Sequence, residues 1–303
     1  MNNFLLSLIA PALWAVSNHF DKYIVGRYFR DTSVGAMMVF SALIGIVVMP
    51  IAFIFQDSAF SIGSIPALLI SLNGCLYLVA VQPYLKALRI SDASTSIPMF
   101  QIIPVITFVL AKVVLKESLT SNQLLGGLLI VLGAIIISFE MIDGRKLKLH
   151  GDALGLMFLS SLIFSVNFLL FKYFAINSSF WTTTFWESVG FIGFGLALLV
   201  FVKSWRRDFI NVFTKQKLAT ELNITNEAIN TIAKITFNYV SLLAPITLAW
   251  IGVGFQPVFV LVYSVLLAAF FPHINNEKVR GKHLVQKIVS IIIMMIGAYI
   301  LNR

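Results

Sequence analysis

Apolar residues fill long runs of this chain, and polar residues gather in the short breaks between them. A helix rises about 1.5 Å per residue, so about 20 apolar residues cross a hydrocarbon layer of about 30 Å. On that ruler the runs predict helices near 3–24, 34–55, 64–86, 93–115, 122–140, 152–174, 180–202, 222–243, 246–271 and 284–301. One of them departs from the rest. Between Leu222 and Pro245, Asn223, Glu227, Asn230, Lys234 and Asn238 follow at steps of four, three, four and four. They share one helical face, while Ile224, Ile232 and Ile235 point elsewhere. Hydropathy alone leaves a nine-span reading open. A polar stripe at membrane depth is costly against lipid, so this helix is expected to line a bundle interior or a watered cavity.

Charge placement supports the eighth span independently. Loops after odd-numbered spans carry Lys22, Arg27, Arg30, Lys86, Arg89, Arg145, Lys146, Lys148, Lys203, Arg206, Arg207, Lys215, Lys217, Lys278, Arg280, Lys282 and Lys287. Loops after even-numbered spans, with the termini, offer Lys112, Lys116, Lys172 and Arg303. The bias puts odd-numbered loops in the cytoplasm and both termini outside. Without the eighth span, the basic segments 203–217 and 278–287 would fall on opposite sides. Within 203–221, Trp205, Phe209, Val212 and Phe213 recur at helical spacing among basic residues, which predicts an amphipathic helix on the headgroups.

Composition narrows the class. Of 303 residues, 59% are hydrophobic and 12% charged, about half the charged fraction of soluble domains. The mean hydropathy is +0.92, and the expectation is a multi-pass protein of the cytoplasmic membrane. The net charge of +9 sits in short loops and not in a patch interleaved with aromatics, so no nucleic-acid partner is expected. A lone cysteine, Cys75, excludes an intramolecular disulfide framework. The N-terminal run lacks a positive leader and continues to Tyr23, so it reads as the first span and not as a signal peptide. There is no GxSxG, HExxH or phosphate-loop motif, and His19, His150, His273 and His283 lack metal-ligand spacing. No enzyme activity, metal or cofactor is expected.

The halves of the chain echo each other. Lys22-Tyr23 returns as Lys172-Tyr173, and YLKAL (84–88), leading through Gln101 to Pro104, has a counterpart in Asn238 to Leu242, leading to Gln256-Pro257. Gly133-Ala134 likewise answers Gly297-Ala298. Five spans per half is an odd number, so the halves are expected to enter the membrane in opposite directions, the arrangement of many secondary transporters. Residues 1–140 form the first five-helix repeat, 141–151 a cytoplasmic linker and 152–303 the second repeat. The fold class expected is therefore an all-α polytopic membrane protein with ten transmembrane helices in two inverted repeats. Trp14, Lys22-Tyr23, the run from Tyr84 to Ser118 and the glycine helix 124–136 resemble an EamA-type member of the drug/metabolite transporter superfamily. NEAIN (226–230), FNYVSLLAP (237–245) and FQPVFVLV (255–262) look like the same module repeated. The Lys-Glu-Ser turn at 116–118 has no clean second-half partner, since Glu277 is displaced by a longer loop.

That resemblance implies a carrier for a small polar or amphipathic metabolite, amino-acid-like or related, moved outward by alternating access. Runner-up readings are a lipid-linked precursor flippase and a non-transporting scaffold. Counting helical rise from the cytoplasmic side, Glu227 lies roughly 8 Å deep, Lys234 roughly 18 Å and Glu187 about 22 Å. Glu187 is therefore expected to face Lys234 across a cavity, as a substrate or proton site or as a structural ion pair, with Glu227 at the cytoplasmic mouth. Asn230, Asn238, Gln101, Gln256, Asn73, Tyr77 and Trp14 complete the candidate substrate-binding set. Trp181, Trp186 and Trp250 read as interface or core aromatics. Pro104 and Pro257, mid-span behind Gln101 and Gln256, read as bends in paired gating helices. Expected partners are the solute, the bilayer and protons as a coupling ion, with a homodimer left open.

Overall fold

The computed structural model describes residues 2–29, 34–55, 57–90, 97–138, 151–270 and 281–301. The expected linker, apart from Gly151, lies outside the described residues. So do Arg30, Arg145, Lys146, Lys148, His150, His273, Glu277, Lys278, Arg280 and Arg303.

The described residues are helical, joined by short turns, with no strand among them. The first rod is α1 (Asn2–Ser7) continued by α2 (Ile9–Arg27), and the second is α3 (Gly35–Leu43) with α4 (Gly45–Phe55). Then come α5 (Ser64–Ile90), a 3-10 turn (Ile97–Ile102) leading into α6 (Ile103–Val114), and α7 (Ser121–Ser138). The second half holds α8 (Gly151–Asn177), α9 (Phe180–Phe201), α10 (Lys203–Lys215), α11 (Lys217–Leu243), α12 (Ile246–Val253), α13 (Gln256–Phe270) and α14 (Gly281–Leu301).

Five stretches are long and apolar enough to cross a membrane: Gly35–Phe55, Ser64–Ile90, Gly151–Asn177, Phe180–Phe201 and Ile246–Leu267. Neither α2 nor α11 is among them, and the reason is chemical. Both interrupt their apolar runs with polar side chains that the bundle encloses, Ser17 on α2 and Asn223, Asn226 and Glu227 on α11. These two helices pack along each other, so each hides the other's polar face.

Packing pairs recur between the halves. α5 packs on α8 as α11 packs on α2, and α6 packs on α8 as α13 packs on α2. The pairs α7 with α14, α9 with α4 and α12 with α6 also run between the halves. Close seams depend on glycine. A methyl group on Gly190 of α9 would stand 1.9 Å from the Ser71 carbonyl oxygen, and one on Gly74 of α5 would stand 2.2 Å from that of Glu187. Gly126 and Gly297 make a similar crossing of α7 and α14, where added Cβ atoms would lie 2.5 and 2.7 Å from the facing carbonyls. Small residues let backbones approach where no hydrophobic drive from water exists. Hydroxyls inside the rods are satisfied locally: Thr183, Thr184 and Ser188 each donate to the carbonyl four residues earlier, at 2.7–2.8 Å.

Three expectations need correction. Pro104 and Pro257 do not bend continuous helices. Pro104 stands in the first turn of α6 after the 3-10 segment, and Pro257 is the second residue of α13 after the break at Gly254-Phe255. Proline fits there because first-turn N–H groups have no intrahelical acceptor. Next, α10 is not simply laid on headgroups. Its apolar side is held by the protein, with Trp205 against Gly35 and the Phe209 ring 4.9 Å from that of Phe40, while Ile210 and Phe213 stay exposed. Last, α11 begins at Lys217 and not near 222, which puts Glu227 about 15 Å along the helix from its first residue.

Candidate functional site

α2, α3, α5, α8, α11 and α12 line a cavity of about 100 Å³, ample for several waters or a small solute. α2 contributes Trp14, Ser17, Asn18 and Asp21, which recur on one side of its helix, and α11 answers with Asn226, Glu227 and Asn230. α3 supplies Ser41, α5 supplies Tyr77 and Tyr84, and Gln256 stands at the start of α13. Phe100, Phe164, Phe168 and Trp250 give the wall its aromatic part.

The polar side chains form clusters of hydrogen bonds side by side along α11. Asn226 donates to Asp21 Oδ1 at 2.7 Å and accepts from Ser17 Oγ at 2.7 Å. Tyr84 reaches Asp21 Oδ2 at 3.2 Å. On the next position of α11, Glu227 accepts from Ser41 Oγ at 2.5 Å. One turn on, Asn230 accepts from the Trp14 indole at 2.9 Å and donates to the Tyr77 hydroxyl at 3.4 Å. All these donors are neutral. Among the described residues no basic side chain lines the cavity, and neither Asp21 nor Glu227 has a cationic partner.

The apolar end is closed by rings. Trp14 and Trp250 stack with centroids 6.2 Å apart and planes 11° from parallel, and Phe168 and Phe237 pack edge-on and tilted against Trp250 at 5.2 and 4.6 Å. Trp250 is therefore a wall of the cavity as well as a core aromatic.

The second charged centre lies behind that wall. Lys234 donates to Glu187 in a buried ion pair, and its ammonium sits 5.1–5.9 Å from the ring centres of Tyr77, Phe168, Phe171 and Phe191. Such a cage stabilises a desolvated cation. Asn73 completes it: its amide approaches Glu187 Oε1 at 3.5 Å and donates to the Asn167 backbone carbonyl at 3.2 Å, while the Asn167 amide donates to the Asn73 backbone carbonyl at 2.8 Å. Contact between Lys234 and Glu187 is as the depth count suggests, but the two do not face each other across the cavity. Tyr77 and Phe168 stand between, since Lys234 is two turns beyond Glu227.

Of the expected residues, the cavity thus gathers Glu227, Asn230, Tyr77, Trp14 and Gln256. Lys234, Glu187 and Asn73 form the sealed cluster, and Asn238 is buried outside both. Gln101 is buried against Gly254 at the break between α12 and α13, and Pro104 and Pro257 are not on the wall. Tyr84 and Asn226 join the cavity from outside the expected binding set, and Asp21, Ser17, Asn18 and Ser41 were not anticipated. Their signal was available on α2, where Trp14, Ser17, Asn18 and Asp21 repeat at helical spacing.

A third polar junction ties the halves together. The chain leaves α6 through Lys116, whose φ of 54° is the left-handed conformation, and the Glu117 N–H closes back on the Ala111 carbonyl at 3.2 Å. That turn aims the Glu117 carboxylate at Lys172 (2.5 Å) and at the Ile246 N–H (2.9 Å), the free amino end of α12. Lys172 also donates to the Ala244 carbonyl at 2.7 Å. A first-half carboxylate therefore caps a second-half helix.

Comparison with known proteins agrees with this architecture. No curated protein matches the chain. A solved protein crystal structure of 14% identity superposes with a TM-score of 0.67 over 99% of this chain and 96% of its own length, which establishes a shared fold. Residues 2–139 match the EamA-like transporter family. Those residues, somewhat under half of the chain, carry Trp14, Asp21, Ser41, Tyr77 and the Glu117 turn, so the first-half part of the cavity wall lies within the stretch that is similar to the EamA-like transporters.

Proposed function

We propose that the chain is a secondary transporter of the cytoplasmic membrane that moves a small polar or amphipathic metabolite by alternating access. The observation that carries this reading is the cavity whose polar wall is shared by helices of both halves. The recurrence of packing pairs under exchange of the halves supports an inverted repeat of five spans each, with binding between them. The breaks before α6 and α13, at corresponding places, supply the discontinuous helices common in such carriers.

Loop charge gives the sidedness. With the basic ends of α2 and α5 in the cytoplasm, the Asp21 and Tyr84 end of the cavity faces inward, and the Trp14–Trp250 stack closes the outward side. Protons are the proposed coupling ion, because a cavity carboxylate can exchange a proton as solvent access changes.

Efflux tests the reading. Proteoliposomes holding the full chain are loaded with a small-metabolite extract, and the outer medium is followed by mass spectrometry. Protein-dependent efflux of a discrete set of solutes is expected, cut at least tenfold when Ser17→Trp fills the cavity. No protein-dependent efflux would favour a scaffold; movement confined to a lipid-linked reporter would favour a flippase. Efflux indifferent to an imposed pH gradient would remove protons from the scheme.

A further inference from the structure

We infer that the solute is an organic cation with a primary or secondary ammonium, bound at Asp21 and Glu227 with its apolar part on the aromatic wall. This deepens the transport reading above and rests on it.

Charge accounting comes first. Taking a carboxylate out of water is unfavourable unless a cation or several donors replace the lost hydration. Asp21 receives neutral donors from Asn226 and Tyr84, and Glu227 from Ser41 and Asn230. A carboxylate accepts about four hydrogen bonds, so both retain acceptor capacity on the wall of a cavity that, among the described residues, contains no basic side chain. The same bundle shows what it does with a carboxylate kept for structure: Glu187 is given its own lysine, and that lysine is boxed by four rings. Asp21 and Glu227 are given none. An anionic solute would meet two carboxylates and no compensating charge.

Two further observations fix the rest of the molecule. Trp14, Tyr77, Phe164, Phe168 and Trp250 present ring surface to the cavity, which suits an apolar body and attracts a nearby cation. Trp250 is 5% exposed, yet its indole N–H has no acceptor among the described residues. Buried donors in native proteins nearly always find one. A solute with an ammonium at one end and a hydrogen-bond acceptor towards the other would satisfy both features.

Calorimetric titration of the full purified chain separates the possibilities. The probes are phenethylamine, N-methylphenethylamine and 1,4-diaminobutane as cations, 2-phenylethanol as the neutral isostere and phenylacetate as the anion. Phenethylamine is expected to bind at least tenfold more tightly than the alcohol or the acid. Asp21→Asn and Glu227→Gln should each lower its affinity to near that of the alcohol; both are near-isosteric, and either one suffices if the other fails to fold. Equal binding of the alcohol or acid, unchanged amine affinity in the variants, or no binding by any of the three amines overturns the charge assignment. Those results leave the efflux experiment untouched. Conversely, carboxylate-dependent amine binding without efflux would retain the site and remove the transport reading.

Discussion

α11 carries both buried charge centres, two turns apart, and the bundle treats them in opposite ways. Around Lys234 every charge is answered: Glu187 neutralises it, Asn73 braces the acid and four rings shut out water. Around Glu227 the donors are neutral and space is left open. Burial and helix identity are alike, so neither distinguishes a structural charge from a functional one. What differs is whether the protein itself supplies the counter-charge.

The largest effect should follow from breaking the closed centre. Lys234→Met or Glu187→Gln alone strands a buried charge or its cage and should cost about 3–5 kcal/mol. The double variant should recover most of that, read as thermal unfolding in detergent. Single variants as stable as the parent would mean that the pair is not sealed. Next comes the seam that places Glu187. Gly190→Ala drives a methyl group into the Ser71 carbonyl, and roughly 1–3 kcal/mol of destabilisation is expected from such overpacking. Amine affinity should survive in the folded fraction, because neither residue lines the cavity.

At the open centre the balance reverses. Asp21→Asn and Glu227→Gln should shift stability by no more than about 1 kcal/mol, since they remove a desolvated charge and keep a hydrogen-bonding group, while efflux falls at least tenfold. A large loss of stability there would erase the contrast between the centres. The smallest change lies far from both: Lys116→Gly relieves the left-handed turn and should add roughly 0.5–1 kcal/mol to thermal stability without altering efflux.

Much of the helical frame was legible because its signals are periodic. The stripe from Asn223 to Asn238 needed only the 3.6-residue repeat, and Lys234 met Glu187 because helical rise converts position into depth. The cavity was less legible for identifiable reasons. Asp21 is adjacent to Lys22 and Tyr23, so it looked like part of a loop-facing helix end, although Trp14, Ser17 and Asn18 share its side of α2. The start of α11 was set at 222 because the apolar ruler begins there, whereas helix formation tolerates the polar turn from Lys217. Which side of Tyr77 and Phe168 holds the lysine is a matter of tertiary packing, on which linear spacing is silent. Glu117 was visible as an unmatched turn residue, but its partners, Lys172 and Ile246, are remote in sequence.

The stacked indoles that close the cavity have a practical consequence. The chain has five tryptophans. Trp181 and Trp186 pack with Phe180, Phe185 and Phe60, and Trp205 covers Gly35, leaving Trp14 and Trp250 at the cavity. With the other three replaced by phenylalanine, the ultraviolet emission of this pair becomes an intrinsic optical gauge of the wall's wetness. Opening the outward side would separate the rings and admit water, so the emission should move to longer wavelength without any attached label.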